Sequence, residues 1–269
     1  MKINEIKSCI VGPALSAEQF IAEHFFVFLI KGTMNGYDGN KNYALKAGES
    51  CLIRKNRLAR YNKVKDNDEF GKVVIFFDEV FLKAFQKKHS LVFKNFTSND
   101  AFIRLKKDNL INSFLLSLEP YYNNTGNINP EFSDIKREEL LLILLHLHPE
   151  LSDVLFDFGI PGRLDLEKFM QQNYKFNVSI ERLAFLTGRS LSAFKRDFKT
   201  IFNDTPNRWL VKRRLKEARF LIEEKGLRPT DIYVDLGFED LSHFSFAFKK
   251  EFGVTASACM VDKDKALEN

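Results

Sequence analysis

The chain has 269 residues, 45% hydrophobic and 29% charged, too apolar for a disordered protein and long enough for two compact domains. Even the run Leu140–Leu145 falls far short of the roughly 20 apolar residues that cross a bilayer, and the first ten residues carry acid early without a leucine-rich core, which predicts no secretory leader. The net charge of +5 is uneven: residues 1–160 hold 21 Lys+Arg against 20 Asp+Glu and residues 161–253 hold 18 against 13, so the basic excess lies in the carboxyl-terminal third.

Phe25-Phe26-Val27-Phe28-Leu29-Ile30 reads as a strand closed by Lys31-Gly32. Asn35–Asn40 is turn chemistry, because Asn, Asp and Gly tolerate positive φ. Tyr43–Lys46 and Ser50–Ile53 read as strands about a tight turn at Ala47-Gly48-Glu49, and Lys72–Phe77 as a further strand. That spacing predicts a small antiparallel sandwich or barrel over the first hundred residues. From Asp108 the period turns helical, with Leu110, Phe114, Leu115 and Leu118 ahead of Pro120. A loop at Asn123–Asn127 leads to a second helix through Phe132, Ile135 and Leu140–Leu147, ended by Pro149. Its second half is apolar nearly all round, so it must be buried in a core or against a partner. We expect residues 1–150 to form a homodimer chiefly through it.

Phe158-Gly159-Ile160-Pro161-Gly162 is a concentrated Gly/Pro stretch, and it divides the chain into residues 1–157, a linker 158–163 and residues 164–260. Everything beyond it reads as helix. Ser179 and Ser190 are caps for Ile180–Leu186 and Leu191–Phe202, with Gly188 between them. Thr205-Pro206 opens a helix to about Glu224, stopped at Gly226. Pro229 opens another, stopped at Gly237, and Asp240 caps the last, which runs to Phe252 and closes at Gly253.

This region repeats. Leu191-Ser192-Ala193-Phe194 recurs as Leu241-Ser242-His243-Phe244, Phe198-Lys199 as Phe248-Lys249, and Phe202 as Phe252. A short helix, a turn with Gly and a second helix is the helix-turn-helix unit, here present twice around one long helix. A rod of about 19 residues measures about 28 Å, and successive major grooves lie about 34 Å apart. It therefore sets two reading helices near adjacent grooves, with modest DNA bending. Ser192, Lys195, Arg196 and Lys199 fall on one helix face, opposite Phe194, Phe198 and Phe202. Ser242, Ser245 and Lys249 match them in the second copy, with Phe246 beside them. These seven polar residues are the candidate contacts to base edges and phosphates. Arg208, Lys212, Arg213, Arg214, Lys216 and Arg219 crowd the connecting helix, and some are expected to meet phosphates.

Over Leu164–Ala258 the sequence resembles the AraC/XylS family of bacterial transcription regulators. The resemblance rests on Asp231-Ile232, Leu236-Gly237-Phe238, Ser242-His243-Phe244-Ser245, Phe248-Lys249-Lys250 and Phe252-Gly253-Val254 in the second motif. In the first it rests on Leu183-Ala184, Gly188-Arg189-Ser190 and Phe194–Lys199. The connecting stretch Pro206–Leu210 and Arg214–Ala218 is also similar. Leu45–Glu49 resembles the cupin-like sensor domain that often precedes this module. The resemblance implies an α+β protein: an N-terminal cupin-like β-barrel with two following helices, then an all-α tandem helix-turn-helix DNA-binding domain. It implies an activator of transcription in the cytoplasm, with promoter DNA and RNA polymerase as partners and an unknown small-molecule or protein effector.

Three departures stand out. The family usually has arginine where Phe246 stands, a small residue at Tyr233, and Thr-Pro-Ser before an aromatic where this chain has Thr255-Ala256-Ser257-Ala258-Cys259. They predict that Phe246 touches a thymine methyl or packs inward, that base reading comes mainly from the first motif, and that the C-terminal closure is loosened. Cys9, Cys51 and Cys259 are scattered and odd in number, against a disulfide frame or metal knuckle. His24, His89, His146, His148 and His243 show no metal-ligating spacing, and no phosphate loop or nucleophile motif is present. We therefore expect neither metal, cofactor nor catalytic residues. The competing reading is a metal-dependent cupin enzyme with a helical appendage.

Overall fold

The computed structural model describes residues 6–9, 19–123 and 127–260. The chain divides into two compact units, Met1–Ile160 and Pro161–Asn269. In the first lie β1 (Ile6–Cys9), β2 (Phe20–Ile21), β3 (His24–Lys31), β4 (Thr33–Tyr37) and β5 (Asn42–Lys46). Then come β6 (Ser50–Ile53), β7 (Arg57–Leu58), β8 (Arg60–Val64), β9 (Gly71–Phe77), α1 (Glu79–Lys88) and β10 (Phe102–Arg104). The helices α2 (Asn109–Ser117), α3 (Pro130–Leu147) and α4 (Ser152–Leu155) complete the unit.

The strands pair as a five-stranded sheet in the order β1-β9-β3-β6-β10, a three-stranded sheet β5-β4-β8 and a two-stranded ladder β2-β7. The five-stranded sheet is buried on both faces, which is why β3 reads as an unbroken apolar run. Phe26, Leu52, Ile75 and Phe77 face Leu82, Phe114, Leu140, Leu141 and Leu144 of the helices. On the other face Phe25, Val27, Leu29, Ile53 and Val74 meet Met34 and Leu45 of the smaller sheet. Each such side chain contributes about 1.5–3 kcal/mol on burial. The expected barrel is thus a sheet-on-sheet packing, and among the described residues no continuous hydrogen-bonded ladder closes it.

Arg137 fastens α3 to the sheet. It is 1% exposed, donates from Nε to the Phe76 carbonyl at 2.8 Å, and pairs with Asp134 at 2.9 Å and Asp78 at 2.5 Å. Its guanidinium lies 4.0 Å from the centre of the Phe81 ring. Four such contacts satisfy a charge that burial would otherwise penalise heavily.

Several expectations need correcting. Residues 79–88 form a helix inside the stretch read as all strand, because the Asp78 carboxylate caps it by accepting from the Phe81 N–H at 2.9 Å. Asn35-Gly36 lies within β4, and the turn comes later, at residues 38–41. Gly36 is there for close approach: a Cβ would sit 2.7 Å from the Phe102 ring. Within the loop expected at residues 123–127, residues 124–126 lie outside the described residues. Leu141 and Leu144 of α3 are fully buried in their own unit and unavailable to a partner. The apolar residues that α3 does expose are Phe132, Ile135 and Leu142, with Leu110 and Leu116 exposed on α2.

Candidate nucleic-acid interface

The second unit holds α5 (Leu166–Asn173), α6 (Ile180–Leu186), α7 (Leu191–Phe202), α8 (Pro206–Lys225), α9 (Pro229–Ile232) and α10 (Leu241–Phe252). Serine caps start α6 and α7: Ser179 accepts from the Arg182 N–H and Ser190 from the Ala193 N–H, both at 3.3 Å. Asp240 does the same for α10 through the His243 N–H at 2.6 Å. Thr205 occupies the cap position of α8 without a side-chain cap bond. Pro206 at the first helical position leaves one fewer N–H to satisfy there.

The two helix-turn-helix corners are built alike. The Arg189 N–H bonds to the Ala184 carbonyl and the Gly188 N–H to that of Phe185, both at 3.0 Å. At the second corner Phe238 N–H reaches the Tyr233 carbonyl at 3.0 Å and Gly237 N–H that of Val234 at 2.9 Å. Paired long and short closures over a left-handed residue terminate helices in this way, and the glycines take φ of +65° and +84°. Regular helix in α9 stops at Ile232 and continues to Gly237 as turns.

Beneath each corner lies a phenylalanine stripe. Phe194 and Phe198 in α7, and Phe244 and Phe248 in α10, are fully buried. Phe198 and Phe202 clasp Trp209 of α8, with ring centres 5.7 and 4.6 Å away. Phe244 and Phe248 pack with Leu215, Ala218 and Ile222 further along α8. So α8, 20 residues and about 30 Å long, carries one motif on each of its two halves. Half-buried Tyr233 packs into this second cluster with Ala256 and Cys259. The expected loosening of the C-terminus is not seen: Thr255 accepts from the Ala258 N–H at 3.2 Å, and Ala256 and Cys259 are buried.

With their phenylalanines turned inward, α7 and α10 turn all seven predicted contact residues outward. Ser192, Lys195, Arg196 and Lys199 are exposed on α7, and Ser242, Ser245 and Lys249 on α10. Phe246 is 70% exposed, so of its two expected fates inward packing is ruled out. Arg196 reaches back to Asp197 at 3.5 Å. Asp197 is itself held by Arg189 at 3.2 Å and Arg163 at 2.9 Å, and the Arg189 hydrogen bond keeps its carboxyl below the usual range. Arg189 also donates to the Leu164 and Thr187 carbonyls, each at 2.9 Å. It ties the entry strand to α7 instead of facing solvent.

The basic row of α8 also sorts itself. Arg214 is buried and donates to three carbonyls: Tyr174 and Phe176 at 2.7 Å and Gly237 at 2.9 Å. Burial pulls its guanidinium down to about 10. It is a clasp between the end of α5 and the second corner, not one of the phosphate contacts sought along this helix. Arg208 and Lys212 pair with Asp204, Arg213 with Glu217, and Arg219 with Glu223. The signal for Arg214 was available, because it falls in the buried stripe of Leu210, Leu215, Ala218 and Ile222.

In the amino-terminal unit His24, His89 and His148 have structural partners. His24 Nδ1 accepts from the Lys55 N–H at 3.2 Å, His89 meets Glu138 at 2.8 Å, and His148 contacts Lys106 N and Glu150. Among the described residues no three His, Cys, Asp or Glu side chains gather as a metal site, and no helix is long and apolar enough to cross a membrane.

Two family models match in succession. Residues 24–154 match an ExsA N-terminal regulatory domain and residues 183–260 a helix-turn-helix domain. The virulence regulon transcriptional activator VirF of Yersinia enterocolitica is 29% identical over 133 residues, 49% of each chain. The regulator ExsA of Pseudomonas aeruginosa is 27% identical over 138 residues, 51% of this chain and 50% of that one. A crystal structure of ToxT from Vibrio cholerae aligns at 14% identity and TM-score 0.46, covering 95% of this chain and 96% of the other. The chain spans about half the length of the curated relatives it matches. With a regulatory-domain match in one unit and tandem helix-turn-helix corners in the other, the chain is similar to transcription regulators of the AraC type.

Proposed function

We propose that this protein is a sequence-specific double-stranded DNA-binding transcription regulator that activates promoters with RNA polymerase in the cytoplasm. Residues 164–260 read DNA, residues 158–163 link, and residues 1–157 dimerise and sense an effector. One observation carries the reading: two equivalent helices, fixed by buried phenylalanines to the two halves of one 30 Å rod, present Ser192, Lys195, Arg196, Lys199, Ser242, Ser245 and Lys249 to solvent. That arrangement suits two major-groove segments one helical turn apart.

Dimerisation is supported by the exposed stripe of Phe132, Ile135 and Leu142 on α3. For the effector, a pocket bounded by Met34, Tyr43, Cys51 and Phe102 has a volume of about 20 Å³, room for about one water. A small molecule larger than a water needs that pocket to widen, whereas a protein effector works from outside. A thermal-shift screen separates the two.

The DNA reading is tested by selecting duplexes from a randomised pool with the intact chain and measuring affinity against salt. Selected duplexes should outcompete random DNA, and affinity should fall steeply as salt rises because neutralised phosphates release counterions. Equal affinity for random sequence refutes it.

A further inference from the structure

We infer that Phe246 is a base-reading residue, its ring covering the 5-methyl group of thymine in the major groove entered by α10. The inference rests on the DNA-binding reading above and adds to it a chemical specificity for the second motif.

The fifty-residue repeat fixes where Phe246 stands. Ser192, Lys195, Arg196 and Lys199 of α7 correspond to Ser242, Ser245, Phe246 and Lys249 of α10. The correspondence holds in three dimensions. Both helices are capped two residues before this series, at Ser190 and Asp240, and both bury the phenylalanines at the fourth and eighth helical positions. Position for position they expose and bury the same places, save Ala193 against His243. Phe246 is therefore the counterpart of Arg196, and each projects into solvent, the ring 70% exposed and the arginine side chain 75%.

A single exposed ring requires no partner by itself, so its surroundings decide what it suits. Ser242, Lys249 and Lys250 stand four, three and four residues away, on the same face, and all are exposed. Hydroxyls and ammonium groups around a single ring make a poor apolar protein interface, whose centre is depleted of charge. They suit a groove where phosphates flank base edges. Thymine alone among the four bases shows a methyl group in the major groove, and a phenyl ring is a known partner for it. Unlike arginine, the ring gains nothing from guanine O6 and N7, so the step under Phe246 is selected by apolar contact.

The test uses a duplex selected from a randomised pool by the intact chain, resynthesised with deoxyuridine replacing thymidine one position at a time. Each replacement removes only a methyl group. Burying one such group corresponds to about 0.8 kcal/mol, hence a loss of about fourfold in affinity at the step Phe246 covers. In Phe246→Ala that step should tolerate uracil without loss, and Phe246→Arg should shift its preference from T·A to G·C. Unchanged melting and Trp209 fluorescence certify the variants as folded, and the uracil scan of the natural chain needs no variant. If no thymine is sensitive, or if the same sensitivity survives in Phe246→Ala, the inference falls while selective DNA binding stands. If Phe246→Ala lowers transcription but leaves DNA affinity intact, the ring serves a protein partner and the inference also falls. If no duplex is enriched at all, the DNA reading itself has failed and takes this inference with it.

Discussion

Replacing Arg214 should separate structural cations from DNA-contacting ones. Arg214→Met keeps most of the volume while removing donors to the Tyr174, Phe176 and Gly237 carbonyls. A stranded buried acceptor costs about 1–3 kcal/mol, and three at the low end give about 3–4 kcal/mol. Relief from burying a charge returns part of this, since burial already holds Arg214 near 10. A net loss of roughly 3 kcal/mol remains, a large share of a typical 5–15 kcal/mol stability. Trp209, the single tryptophan of the chain, packs on Phe198 and Phe202, so its fluorescence follows unfolding of this unit alone. With a urea slope of about 1–3 kcal/mol per molar, the midpoint should fall by about 1–3 M. Arg214→Lys keeps the charge but loses the fork that spans three carbonyls, and should lie between. Under conditions where the variant is folded, its salt dependence of DNA binding should match the natural chain. A midpoint moved by less than about 0.3 M would show that the clasp is dispensable, and a salt slope reduced by about one would show that Arg214 contacts phosphate.

Burial, followed by Lys55, Arg54 and Arg57, pushes His24 down to about 3. Between pH 6.5 and 3 the unfolded chain then binds a proton that the folded one refuses, so stability falls as pH falls, by about 2 kcal/mol from pH 7 to 5. Amide exchange of residues 24–31 should show this slope, and His24→Gln should lack it. Ile135→Asp and Leu142→Asp should weaken self-association in sedimentation while leaving the fold intact. Leu144→Asp should instead unfold the unit, because Leu144 is fully buried; a folded, monomeric Leu144→Asp protein would contradict the assignment of faces on α3. Gly237→Ala should destabilise the second unit, since its φ of +84° is strained for alanine and the added Cβ would lie 2.6 Å from the Lys175 carbonyl; an unchanged urea midpoint would argue against that.

Local signals carried much of the fold into the sequence. Ser179, Ser190 and Asp240 act as caps where they were expected, and Gly188, Gly237 and Gly253 adopt positive φ at the helix ends. Where tertiary contacts decide, the sequence is mute or misleading. Val80-Phe81-Leu82 follows the apolar run of β9 after Asp78-Glu79, and the Asp78 cap announces a helix. Asn35-Gly36 has the chemistry of a turn, but the Phe102 ring claims the space a side chain would fill. Arg189 and Arg214 look like surface cations until their carbonyl partners, up to 40 residues distant, are brought alongside. The outward direction of the seven candidate contact residues is legible for a simple reason: a helix with phenylalanines every four residues has one inner face, and everything opposite must point away.

That same geometry lets two copies of one motif present different outer faces. Phe194 and Phe244, and Phe198 and Phe248, occupy equivalent buried places; Phe198 packs on Trp209 of α8, and Phe244 and Phe248 pack on its second half. A smaller residue at any of them would leave a cavity and lose about 3–5 kcal/mol. The outer positions bear no such constraint, and there Lys195 is matched by Ser245 and Arg196 by Phe246 on the same helical framework. The exchange changes the physics of the contact. On the proposed DNA-binding reading, a guanidinium at 196 acts through charge, and the affinity it contributes weakens as salt screens it. A phenyl ring at 246 acts by excluding water from an apolar group, which salt does not screen. Affinity lost in Arg196→Ala should therefore shrink between low and high salt, while affinity lost in Phe246→Ala should stay constant. Equal salt dependence of the two losses would mean that the two helices, despite their different outer faces, engage DNA by the same interaction.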